Sequence, residues 1–136
     1  MRPEEESRQL IDKLLSDAGW KVQDYRQVNL GAGFGVAVRE FPLKTGFADY
    51  MLFVDRKTAG VIEAKPFGTT LGGVDWQSGK YTTGLPDGLD SYQKPLPFVY
   101  ESTGKETFFR DQRDPEPCSR RVFSFLQPKA MQEQEL

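Results

Sequence analysis

Asp49, Glu63 and Lys65 are the residues of this sequence whose types and spacing could do chemistry together. Glu63 and Lys65 stand two apart in Val61-Ile62-Glu63-Ala64-Lys65, so on a strand they project from one face and Ala64 from the other. Asp49 lies on the preceding apolar stretch, Gly46 to Asp55, and a short polar segment ending in Gly60 joins the two. A hairpin of these stretches sets Asp49 opposite residues 63 to 65. Two carboxylates on adjacent strands can hold a hard divalent cation. The backbone carbonyl of Ala64 would add an oxygen ligand, and water and a substrate oxygen would fill the other positions. Lys65, while protonated, is no ligand; it can position an attacking water and offset charge developing on phosphorus. This is phosphodiester hydrolysis without histidine.

Whether Asp49 shares a face with Glu63 depends on the turn. A two-residue loop of Arg56 and Lys57 would pair Asp49 with Ala64 and turn it away. A three-residue loop, or a bulge at Gly60, would pair it with Lys65 on the shared face. Gly60 tolerates positive φ, as such a loop needs. The expectation is therefore an odd-length loop.

Composition narrows the chemistry further. The sequence holds no histidine, which excludes a Ser-His-Asp triad, a Cys-His pair and a His-ligated zinc site. A metal site must then use oxygen ligands, which suit Mg²⁺, Mn²⁺ or Ca²⁺. Cys118 is the single cysteine, so no disulfide forms within the chain, in keeping with a reducing cytoplasm. The net charge of −2 makes the chain no polycation, so contact with nucleic acid would run through a local basic face or through partners. At 136 residues, with ten Phe, five Tyr and two Trp, the chain forms one domain with a real core.

The elements that must position the three residues follow from pattern. Pro3 to Ala18 reads as an amphipathic helix with Leu10, Ile11, Leu14, Leu15 and Ala18 on one face and Gly19 closing it. Glu6, in its first turn, is an acidic candidate near the site. Trp20 to Tyr25 and Val36 to Leu43 read as strands, the second with Glu40 able to lean toward the site. Gly31 to Gly35 is a loop whose glycine spacing is wrong for a dinucleotide fingerprint. Val74 to Thr83 reads as a helix carrying Gln77 and Tyr81 on one face. Leu96 to Glu101, Thr107 to Phe109 and Val122 to Phe125 read as further strands. Arg110 to Arg121, with four arginines, reads as a solvated loop, and residues 129–136 as a frayed polar tail. Gly79-Lys80-Tyr81 and Gly104-Lys105-Glu106 lack the flanking residues of a phosphate loop, so no ATPase motif is present. Helices and strands in this order give an α/β fold with a mixed central β-sheet flanked by helices.

The sequence at these positions resembles a known family. Gly46-x-Ala48-Asp49-Tyr50 followed by Gly60-Val61-Ile62-Glu63-Ala64-Lys65 resembles the PD-(D/E)xK nuclease core, and Gln77-x-x-x-Tyr81 resembles the helical motif that accompanies it. Leu96 to Gly104, Asp114-Pro115 and Arg120 to Phe125 resemble the amino-terminal region of the restriction (R) subunit of type I restriction-modification enzymes. The resemblance runs from Glu6 to Pro128. Ala48 departs from it, standing where the pattern has proline.

The resemblance implies a restriction-endonuclease-like nuclease domain over residues 1–128, with 129–136 leading toward motor domains that this sequence lacks. It implies Asp49, Glu63 and Lys65 as catalytic residues, and Asp49, Glu63 and the Ala64 carbonyl as holders of Mg²⁺. Gln77, Tyr81, Glu6 and Glu40 would be accessory. Double-stranded DNA would be the substrate, cut after ATP-driven translocation, with modification and specificity subunits as partners. The alternatives are a catalytically inactive DNA-binding or assembly module of the same fold, and a stand-alone nuclease.

Overall fold

The structure, a computed structural model, describes residues 3–44, 46–69, 71, 84–92, 96–113 and 119–135. The helix expected over Val74 to Thr83 lies outside them, as does Cys118. Among the described residues, helix α1 (Pro3–Asp17) is followed by β1 (Lys21–Asp24), β2 (Gly35–Leu43), β3 (Gly46–Val54) and β4 (Lys57–Ala64). After them come β5 (Phe98–Ser102), β6 (Thr107–Asp111), β7 (Arg120–Val122) and α2 (Pro128–Glu135). The seven strands form one sheet in sequence order. β1–β2 and β4–β5 are parallel and the other neighbours antiparallel, so the α/β class with a mixed sheet stands.

Helix α1 forms because Ile11 and Leu15 recur at helical spacing and are fully buried. It stops because Gly19 takes φ +95: its N–H bonds the Ser16 carbonyl and the Trp20 N–H reaches back to Leu15. The sheet is buried on both faces. Tyr50, Leu52 and Val54 join the α1 side of the core with Ile62 and Tyr100, while Met51 and Phe53 join the opposite side with Val61 and Val99. Residues 50–54 therefore read as a continuous apolar run and not as an alternation.

The hairpin differs from expectation in its turn. β3 and β4 are joined by two residues, Asp55 and Arg56, both at positive φ (49° and 69°), a type I′ turn and not an odd-length loop. The extra residue sits instead in β4: Phe53 pairs with Thr58 but Leu52 with Gly60, leaving Ala59 as a bulge. Gly60 is needed for a different reason than positive φ. A Cβ there would stand 2.6 Å from the Phe98 carbonyl oxygen, so only glycine lets β5 come this close. Arg56, a side chain forced into the left-handed region, should be improvable. Arg56→Gly should raise stability by roughly 0.5 kcal/mol, relief of strain outweighing glycine's entropy. A urea midpoint that stays put or falls would show that the contact of Arg56 with the 29–31 loop matters more.

The carboxyl end differs too. Residues expected as a frayed tail form α2, with Met131 fully buried beside Ile11 and Leu15 in the α1-side core. Trp20 Nε1–H donates to the Leu126 carbonyl at 2.9 Å, and Pro128 packs over Gly35 so closely that a Cβ there would lie 2.1 Å from its Cγ. β7 ends at Val122, short of the expected Phe125, which is buried against the Tyr100 ring (centroids 4.9 Å apart). Both described helices thus cover the same face of the sheet.

Candidate active site

The hairpin register continues from Tyr50–Ile62 to bring Asp49 level with Glu63, and not with Lys65 as the odd-length loop would have had it. A second irregularity aims Asp49. In β2 and β3, Arg39 pairs with Tyr50 and Phe41 with Ala48, but Glu40 between them takes φ 51 and breaks the ladder. Arg39 faces α1, where it meets Asp12 at 3.0 Å. Phe41, two residues on, packs in the opposite core. Residues two apart on a regular strand share a face. These do not, so the strand pair turns over at Glu40 and Asp49.

Asp49 is held from two sides as a result. Its Oδ2 accepts the Ala64 N–H at 2.9 Å and its Oδ1 accepts Arg8 Nη2–H at 2.8 Å. Burial pushes the Asp49 carboxyl above the ordinary carboxylate range. The negative charge of Glu63 pushes the same way, while the Ala64 N–H and the Arg8 guanidinium pull it back. Glu63 sits beside Lys65, with Nζ 3.7 Å from Oε2, and the Lys65 N–H is fixed by the Ser102 carbonyl at 2.8 Å. Side-chain exposures of 27% for Asp49, 22% for Glu63 and 37% for Lys65 leave all three in reach of a ligand.

The N–H and C=O of an extended residue leave a strand on the same edge. The Ala64 carbonyl therefore points to the β3 side with the N–H that holds Asp49. Among the described residues no three acidic, cysteine or histidine side chains gather as a metal-holding group. A cation here could rest on two carboxylates, this carbonyl and water. That donor set suits Mg²⁺, which keeps several waters, and the Arg8 guanidinium already occupies a cation's place on Asp49.

Of the accessory candidates, Glu40 is drawn to the site by Arg8, whose Nη1–H donates to its Oε1 at 2.9 Å. Glu6 lies half-exposed on α1, two residues from Arg8. Gln77 and Tyr81 lie outside the described residues. Two residues at the site were not foreseen. Arg8 falls on the core stripe of α1 with Ile11, Asp12 and Leu15, and a charged residue on that stripe was the available signal. Glu101 stands level with Glu63 on β5, 2% exposed, at the carboxyl ends of the two parallel strands. Its signal was an acid ending an otherwise apolar strand.

The comparisons bear on one part of the chain. The endonuclease subunit of the type I restriction enzyme EcoKI from Escherichia coli (strain K12) is 42% identical over 73 residues, a match covering 46% of this chain. The chain spans 6% of that protein's length, so the likeness supports a restriction-enzyme relationship over that stretch. No family model and no solved structure matches the chain. Among the described residues no helix is long and apolar enough to cross a membrane.

Proposed function

We propose that this chain is a Mg²⁺-dependent DNA endonuclease domain of the PD-(D/E)xK type, working in the cytoplasm as the nuclease of a type I restriction complex. The observation that carries this reading is the tie between Asp49, at the kink in the sheet, and the backbone of the strand that bears Glu63 and Lys65. On that strand Lys65 lies against Glu63. The stretch of 42% identity to a restriction endonuclease subunit supports it independently.

In this reading Asp49, Glu63 and the Ala64 carbonyl would hold Mg²⁺, which would supply Lewis acidity toward the scissile phosphate and toward water. The chain's own residues do the rest. The Ala64 N–H fixes one Asp49 oxygen and so aims the other. Lys65 orients the attacking water and faces the charge that builds on the phosphoryl oxygens. Gln77 and Tyr81 contact the DNA backbone or orient Lys65. Double-stranded DNA reaches the site through motor domains driven by ATP and through modification and specificity subunits. The net charge of −2 gives this chain little phosphate-neutralising power of its own.

The test is a cation titration of the chain by calorimetry, paired with plasmid cleavage by the assembled complex. Mg²⁺ or Mn²⁺ should bind the wild type, and Asp49→Asn should weaken binding by at least tenfold. Chelation should stop cleavage. Cation binding unaffected by Asp49→Asn, or cleavage that persists under chelation, would remove this site from the reaction.

A further inference from the structure

Arg8 is a charged residue that α1 delivers directly onto a proposed cation ligand, Asp49. The backbone that carries it is tied to the sheet. The Tyr50 hydroxyl lies 3.1 Å from the Arg8 carbonyl oxygen and 2.6 Å from Asp12 Oδ1, so helix α1 is pinned to the residue next to Asp49. One turn on, Asp12 is held by Arg39 at 3.0 Å, on the strand that also carries Glu40. From this frame the guanidinium spreads its two Nη atoms onto Asp49 and Glu40, at 2.8 and 2.9 Å. The two acids stand opposite each other at the kink, where the ladder is broken. Arg8 therefore offsets part of the charge of the two carboxylates that the kink brings together, and a guanidinium fork is well suited to hold such a pair.

We propose that Arg8 is a built-in competitor for the divalent cation: its guanidinium lies against Asp49 Oδ1 and must draw back from that oxygen for a cation to be held there at full strength. The inference rests on the reading of Asp49 as a cation ligand. A divalent cation and a guanidinium on the same carboxylate oxygen repel each other and draw on the same negative charge, so each weakens the other's hold there. The apparent affinity for the cation is thus the intrinsic affinity scaled by the fraction of molecules in which Arg8 has let go. The contact is partly exposed, with 32% of the Arg8 side chain open to solvent, so the competition is moderate and not absolute. Its consequence is a site whose negative charge is partly offset by Arg8 and which takes up Mg²⁺ only at substantial concentrations.

The experiment is Mn²⁺ titration of the full chain by calorimetry, with circular dichroism to confirm folding, for wild type, Arg8→Met and Arg8→Lys. Arg8→Met keeps the aliphatic stem and should bind Mn²⁺ about fivefold to tenfold tighter, the size of an ordinary coupling between sites. Arg8→Lys keeps the charge without the fork and should fall between, which decides the matter should Arg8→Met fail to fold. The side-chain Nε–H resonance of Arg8 should shift when Mg²⁺ saturates the wild type and stay put in Asp49→Asn. Affinity that is unchanged or weaker in both variants would overturn the competitor role and leave the metal site standing. If neither wild type nor variants take up Mn²⁺, the metal reading and this inference fall together.

Discussion

Asp49→Asn, Glu63→Ala and Lys65→Ala should each reduce plasmid cleavage by the assembled complex by about 10²-fold or more, while ATP hydrolysis by the same preparation continues. A loss of that size is about 2.7 kcal/mol of transition-state stabilisation, the magnitude found for a preorganised electrostatic group. Without either acid the cation rests on one carboxylate. Without Lys65 the attacking water and the developing phosphoryl charge lose their nearby ammonium. The substitution at position 49 is asparagine for a structural reason. Ala64 is 5% exposed, and its N–H donates to Asp49 Oδ2, so alanine would strand a buried donor at a cost of about 1–3 kcal/mol. Asparagine keeps an acceptor for the Ala64 N–H, while removing the charge and the second acceptor that Arg8 uses. Folding should therefore survive in all three variants, since each side chain is partly exposed and none fills the core. Wild-type cleavage by all three would overturn the nuclease reading and favour an assembly module of the same fold.

Why these three residues were readable while Arg8 was not follows from where the information sits. Glu63 and Lys65 are two apart on a strand with apolar neighbours, so local periodicity alone puts them together. Asp49 needed the hairpin, and sequence supplied it: an apolar run, a polar turn, a second apolar run. The register was less accessible. It depends on a type I′ turn at Asp55–Arg56, which lacks the usual glycine, and on a compensating bulge at Ala59. Gly60 drew the turn toward itself in the reading because a glycine beside polar residues suggests positive φ. Its true reason, the 2.6 Å approach of the Phe98 carbonyl, is a contact across 38 positions of sequence that no local pattern carries. The kink at Glu40 is of the same kind. A glutamate at φ 51 is no propensity signal; tertiary context holds it there. Arg8 is readable only after α1 is docked, because its partners lie 32 and 41 residues away. The carboxyl-terminal helix escaped notice because only Pro128 and Met131, among its described side chains, are buried in a segment that is otherwise largely polar.

The core beneath the site carries the other large expectation. Tyr100→Ala should destabilise the chain by about 3–5 kcal/mol, the usual cost of deleting a large buried aromatic ring. Tyr100 is 1% exposed, pairs with Ile62 in the parallel β4–β5 register, and packs its ring against Phe109 and Phe125 at 4.9 Å each. Its hydroxyl accepts the Leu126 N–H at 3.1 Å, and burial pushes its pKa up to about 12. One side chain thereby joins the sheet to the segment that leads into α2. With a total stability on the order of 5–15 kcal/mol, the loss would take much of what a domain of this size holds. At a urea dependence of about 1–3 kcal/mol per molar, the midpoint should fall by more than about 1 M. Tyr100→Phe separates the ring from the hydroxyl: it keeps the aromatic contacts, strands the Leu126 N–H, and should cost about 1–3 kcal/mol. The effect on cleavage should differ in kind from that of the site variants. Tyr100 stands next to Glu101 and beside the strand that bears Glu63, so Tyr100→Ala should lose activity by unfolding and regain it on cooling or in a stabilising osmolyte such as sucrose. Glu63→Ala should stay inactive at every temperature. A Tyr100→Ala midpoint within the error of wild type would mean that the β4–β5 core and the docked carboxyl-terminal segment are not coupled through this ring.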